Sequence, residues 1–93
     1  MNISAIRLHT DDTVICLLRD HTAGERPTAE GVDCPALTGD VPLGHKVALR
    51  PIASGDTVVK YGAPIGRALC DIDTGAHVHL HNLRGFLDTK APE

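Results

Sequence analysis

Leu69-Cys70-Asp71-Ile72-Asp73-Thr74-Gly75-Ala76-His77-Val78-His79-Leu80-His81-Asn82 is the stretch on which the reading of the fold turns. Its second half alternates. Side chains of a strand point to opposite faces in turn, so His77, His79 and His81 share one face and Val78 and Leu80 the other. Its first half ends a strand, turns through small and acidic residues, and meets a glycine before the chain extends again. Glycine enters left-handed backbone cheaply, which suits a sharp corner.

The same corner occurs at Leu18-Arg19-Asp20-His21-Thr22-Ala23-Gly24 and at Leu49-Arg50-Pro51-Ile52-Ala53-Ser54-Gly55. The spacings between the three glycines are unequal, which argues against a solenoid. Strands are expected near residues 5–9, 14–18, 46–49, 57–60, 65–70 and 77–81, with residues 20–44 mostly loop. No segment sustains a 3.6-residue period, so at most one or two single-turn helices fit. The expectation is one compact, irregular all-β domain spanning residues 1–93.

Composition agrees. The hydrophobic share is 42%, but the chain has one Phe, one Tyr and no Trp, against nine Gly and six Pro. Such a core is thin, because aromatic side chains bury the most area. Help from a partner, or from self-association into a homo-oligomer, is expected. The net charge of −3 argues against a nucleic-acid binder. No signal-peptide segment and no apolar run of membrane-spanning length occurs, so no membrane association and a cytoplasmic location are expected. The three cysteines have no C-x-x-C spacing. Cys16 and Cys70 sit in apolar runs and read as buried thiols, whereas Cys34 lies in a loop.

Residues 45–67 carry Lys46, Arg50, Lys60 and Arg67 against Asp56 alone. A local basic surface beside histidines suits a small anion. His77, His79 and His81 are the candidate metal ligands, since imidazole binds transition ions well. Neighbouring pairs can converge on one ion, but His77 and His81 lie about 13 Å apart on a straight strand. His79 belongs to either pair and should matter most. His45 and Lys46 follow the Pro42-Leu43-Gly44 turn and could hold a carboxylate. Lys60 and Tyr61 could sit at a site rim, or Tyr61 could simply fill the core. His9 and His21 read as surface residues, and Asn82 as orienting a histidine or closing a turn.

Three blocks carry a family likeness: Gly44-His45-Lys46-Val47-Ala48-Leu49, Lys60-Tyr61-Gly62-Ala63-Pro64-Ile65-Gly66 and His77-Val78-His79-Leu80-His81-Asn82. Together they resemble the N-terminal SAF domain of the altronate/galactarate dehydratase family, which also occurs as a separate small subunit. The resemblance implies a β-clip fold related to type III antifreeze protein, with short strands, many turns and little helix. It implies a role in dehydrating a sugar acid to a 2-keto-3-deoxy acid, beside a large catalytic subunit. Small subunits of sulfolactate sulfo-lyases share the architecture. The start at Met1 and polar end at Glu93 lead us to expect a complete small subunit. Dehydration needs a base and a stabiliser of carbanion-like charge, so a divalent metal (Fe2+, Mn2+, Mg2+ or Zn2+) is an expected cofactor. Within that reading no catalytic residue is assigned, and the chain alone should be inactive. The alternative is a non-catalytic module that binds a sugar acid or assembles subunits.

Overall fold

A computed structural model describes residues 2–79 and 81–85. Seven short strands form two antiparallel sheets, and no helix occurs among the described residues. The strands are β1 (Ala5–Ile6), β2 (Val14–Leu17), β3 (Lys46–Ala48), β4 (Thr57–Lys60), β5 (Ala63–Ala68), β6 (His77–Val78) and β7 (Leu83–Gly85). One sheet has the order β1-β2-β3-β6 and the other β4-β5-β7. The expected all-β class holds. No helix among the described residues is long and apolar enough to cross a membrane.

Four corners, not three, organise the chain. Gly24, Gly44, Gly55 and Gly75 have φ of 87°, 84°, 87° and 84°. Gly24 to Gly55 and Gly44 to Gly75 are both steps of 31 residues. The hydrogen bonds repeat with the same step. Gly24 N–H donates to Leu37 O and Leu37 N–H to Glu25 O; Gly55 donates to Ala68 and Ala68 to Asp56. Gly44 N–H donates to Leu17 O and Leu17 N–H to His45 O; Gly75 donates to Ala48 and Ala48 to Ala76. Isolated bridges His21–Val41 and Ile52–Ile72 tie the corners into two pairs. The domain is therefore an internal duplication of a two-corner unit.

Carboxylates hold these corners. Asp20 Oδ1 accepts Leu43 N–H at 2.7 Å, Asp40 Oδ1 accepts Ala23 N–H at 2.9 Å, and Asp71 Oδ1 accepts Ser54 N–H at 2.9 Å. The fourth equivalent position is Pro51, which has no side-chain acceptor. Each of these bonds bridges one corner to its paired corner and satisfies a backbone N–H that the ladder leaves without a partner.

The apolar residues fall into two clusters, as a duplication implies. Ile15, Leu17, Leu37, Val41 and Val47 pack in one, and Val14, Ile52, Val58, Ile72 and Val78 in the other. Successive residues of β2 and β3 supply alternate clusters (Val14 then Ile15, Val47 then Ala48), so each strand is buried on both faces. Aliphatic β-branched side chains serve such positions without aromatics.

Three expectations fail in detail. Val14–Leu17 and Lys46–Ala48 are shorter than expected, and of the strand foreseen over 77–81 the described residues are strand only at His77–Val78, with residue 80 outside the described residues. His21 is buried rather than on the surface: Nδ1 donates to Arg19 O at 2.9 Å, and Nε2 lies 3.0 Å from Ser4 Oγ. With both ring nitrogens satisfied, burial of the imidazole carries no unpaired polar atom. The thiols are reversed as well. Cys34 is buried and Cys70 exposed, with Cys16 between, and all three are free. Cys34 belongs to the buried cluster of Ala29, Leu37 and Val41, whereas Cys70 is exposed where β5 leads into a corner.

Candidate functional site

Register builds the site. β3 pairs with β6 so that Lys46 faces Val78 and Val47 faces His77. One step further along this antiparallel ladder, His45 stands opposite His79. Directly opposed side chains lie on one face, and diagonal neighbours within reach of large rings. The rings of His45 and His79 accordingly stack, with centroids 4.1 Å apart and planes 23° apart. His45 Nδ1 and His77 Nε2 are 2.7 Å apart, a hydrogen bond with one proton between two nitrogens. The His77 and His79 rings are near parallel at 5.5 Å.

Asn82 ends the strand after Val78. Its Oδ1 accepts His79 N–H at 2.9 Å and its Nδ2 donates to His77 O at 2.8 Å. The His79 carbonyl accepts N–H from both Asn82 and Leu83. The buried amide thus fixes the backbone of two histidines at once and turns the chain back. That turn resolves the distance problem of a straight strand, since the His81 ring lies 5.3 Å from that of His77, tilted by 47°.

One ligand atom from each of His45, His77 and His79 lies within 4.8 Å of the others. This is a set of three imidazoles, with His81 beside it. His45, which the sequence placed with the substrate contacts, completes the set, whereas His81 is not part of it. Two nitrogens each about 2.0–2.1 Å from one ion are at most about 4.2 Å apart, close to the spacing of this set. The donor chemistry fits a transition ion. The His77 pKa is pushed down to about 4 by burial, then by His45, His81, His79 and Lys46. Burial, His45 and Lys46 also hold His79 below the usual imidazole value. The neighbouring charges on His77 and His79 are positive, which favours the neutral form of these two rings and leaves a lone pair available for a ligand.

Lys46 begins β3 beside the rings. Burial lowers its pKa, and Lys60 lowers it further. Lys60 and Lys46 have no ion-pair partner among the described residues. Lys60 Nζ lies 4.9 Å from the centre of the Tyr61 ring. Tyr61 is 61% exposed, so it does not fill the core. It occupies left-handed backbone, with φ of 59°, at the β4–β5 hairpin. Asp12, which the sequence gave no reason to single out, secures that hairpin by accepting Gly62 N–H at 2.7 Å. Burial pushes the Asp12 carboxyl up, but backbone hydrogen bonds around Gly62, Tyr61, Leu8 and His9 outweigh it and hold it below the usual range. No ring contact or hydrogen bond joins Tyr61 to the imidazoles among the described residues.

A depressed imidazole pKa has a consequence for stability in acid. The unfolded chain takes up a proton on His77 near pH 6.5, the folded chain only near about 4. Between those values the unfolded state binds more protons, so stability falls as pH falls. We expect the Tm of metal-free protein to drop between pH 7 and pH 4.5, and His77→Gln to flatten that drop. An equally steep drop in the variant would place its origin elsewhere.

Comparison with known proteins gives a consistent result. Residues 3–85 match the family described as altronate/galactarate dehydratase SAF domain. The chain is 46% identical over 81 residues to the altronate dehydratase of Bacillus subtilis, covering 87% of this chain but 16% of that protein. It is also 46% identical over 79 residues to the altronate dehydratase of Escherichia coli, again 16% of that protein's length. The (2R)-sulfolactate sulfo-lyase subunit alpha of Paracoccus pantotrophus is 38% identical over 71 residues, which is 94% of its length. The chain thus spans a small part of the dehydratases and nearly all of the sulfo-lyase subunit. All three blocks that carried the resemblance lie inside the matched range, and on this ground the chain belongs to the altronate/galactarate dehydratase SAF domain family.

Proposed function

We propose that the chain is the non-autonomous small part of a carbon–oxygen hydro-lyase acting on a sugar acid, and that it works with a larger catalytic partner. The observation that carries this reading is the convergence of His45, His77 and His79 on one end of the β3–β6 pair. Those rings would hold a divalent ion. Three imidazole donors favour Fe2+ or Zn2+ over Mg2+ or Mn2+, which prefer oxygen donors. Such an ion, when bound, supplies Lewis-acid polarisation of the substrate's oxygens. Lys46 would bind the substrate carboxylate, aided by the charge of Lys60. Tyr61 would serve at the rim, a reading supported by its exposure and by the left-handed backbone that turns the phenol outward. Asn82 keeps His77 and His79 in register. The imidazoles are half-buried on an open face, so exclusion of water falls to the partner.

The 94% coverage of the sulfo-lyase subunit favours a second reading, in which the acid carries a sulfonate and the broken bond is carbon–sulfur. The experiment is a turnover assay of altronate, galactarate and sulfolactate, with the chain alone and with the large subunit. The chain alone should turn over none of them. With the partner, release of water supports the first reading and release of sulfite the second. Turnover by the isolated chain would refute the dependence on a partner.

A further inference from the structure

We propose that Arg7 and Arg50 form a second binding site, for a small oxyanion of the carboxylate or phosphate class, at the opposite end of β3 from the imidazoles. Both line one cavity of about 250 Å3, with Thr10, Asp12, Asp33 and the loop at Gly31. Arg7 follows β1 and Arg50 follows β3, so the two side chains flank β2 in the sheet. Five residues separate His45 from Arg50, up to about 16 Å of extended chain. The cavity is therefore separate from the histidine site, and the proposal does not depend on the lyase reading.

The two guanidinium groups are the reason for assigning a ligand. Neither is in an ion pair or hydrogen bond among the described residues. The internal repeat shows why Arg50 is free. Arg19 is its counterpart 31 residues earlier, and Glu25 is the counterpart of Asp56. Glu25 serves two partners: Oε1 accepts Thr22 N–H at 2.6 Å, and Oε2 lies 3.7 Å from Arg19 Nη1. Asp56 is one methylene shorter. Its Oδ2 caps Ala53 N–H at 3.2 Å and makes no ion pair with Arg50. The second copy of the repeat thus keeps the turn cap and releases the arginine.

The acids of the cavity are engaged elsewhere. Asp12 Oδ1 takes the Gly62 N–H, and Asp33 Oδ1 lies 3.8 Å from Arg26 Nη1. The two guanidinium groups are the charged groups of the lining without a hydrogen-bond or ion-pair partner of their own, with the Thr10 hydroxyl as a further donor. A guanidinium fork matches two oxygens of a carboxylate or phosphate, and two forks hold a small oxyanion from both sides. The volume of about 250 Å3 suits a small anion.

The test uses the full chain and backbone amide NMR at constant ionic strength. Inorganic phosphate and malonate are the probes, with chloride as control. Saturable shifts are expected at Arg7, Thr10, residues 31–33 and Arg50. Arg7→Gln and Arg50→Gln should each weaken binding at least about tenfold, while His77→Ala leaves it unchanged. Arg50→Lys keeps the charge without the fork and should weaken binding by an intermediate amount. Tm measurements confirm that each variant is folded. Shifts that chloride reproduces, or binding that survives Arg7→Gln with Arg50→Gln together, would overturn the proposal.

Discussion

His77→Ala will weaken the binding of Zn2+ or Fe2+ to this chain by at least about 100-fold, since even residues that only support a ligand change affinity 10–100-fold. The geometry selects this residue. His77 bonds to His45, and its ring lies against those of His79 and His81. Sequence position alone pointed to His79, the middle histidine of three; the fold moves the expected maximum to His77. His45→Ala and His79→Ala should also lose most affinity, and His81→Ala much less, because its ring stands beside the set. His9→Ala is the control, being exposed and distant in the chain from all three. Titration of each variant with the metal alone checks the order. An unchanged affinity in His77→Ala would remove the three-imidazole centre from the account.

The largest effect on stability is expected at a corner. Gly75 and Gly55 have nearly the same φ, 84° and 87°. A methyl group at Gly55 meets nothing within 4 Å, whereas one at Gly75 would run into the Ala36 carbonyl oxygen. Gly55→Ala therefore bears only the cost of left-handed backbone, about 1–2 kcal/mol. Gly75→Ala bears that cost and a clash with backbone that cannot rotate away. Its N–H and carbonyl also bind Ala48 O and Thr38 N–H, so the segment is held on both sides. We expect more than about 3 kcal/mol for Gly75→Ala, a Tm loss of at least about 12 °C in a domain of this size. Thermal unfolding of the two variants side by side decides it. Equal losses would mean that the packing of the 36–37 segment against this corner is wrong.

The fold could be read from the chain where local chemistry determines it. Strand alternation, glycine corners and the absence of a helical period all act within a few residues, and each was visible. The fourth corner was missed because Pro42-Leu43-Gly44 looks like an ordinary turn. Its signature is an aspartate four residues before the glycine, as in Asp20…Gly24, Asp40…Gly44 and Asp71…Gly75, with Pro51 interrupting the series. Read in that register, the 31-residue duplication would have appeared. The strand at 77–81 was overestimated because alternation does not reveal that the Asn82 amide competes for the backbone of His77 and His79.

The site divides in the same way. The alternating histidines announced themselves, but His45 joined them only through the pairing of β3 with β6, a contact between residues 32 apart in the chain. No local pattern contains that register. The same limit hid the roles of Asp12 and His21, whose partners Gly62 and Ser4 are also remote. For Tyr61 the sequence left rim and core both open. In a chain this poor in aromatics a lone tyrosine suggests core, yet the hairpin geometry turns it outward.

The central claim is that His45, His77 and His79 act as one donor set. The most direct measurement follows the imidazole nitrogens by long-range 1H–15N NMR while Zn2+ is titrated into the full chain. The account predicts that the rings of His45, His77 and His79 shift together and saturate at one equivalent, while His9 and His21 stay unchanged. Rings that respond at separate equivalents, or a site in which one of the three keeps its free nitrogen shifts, would contradict it.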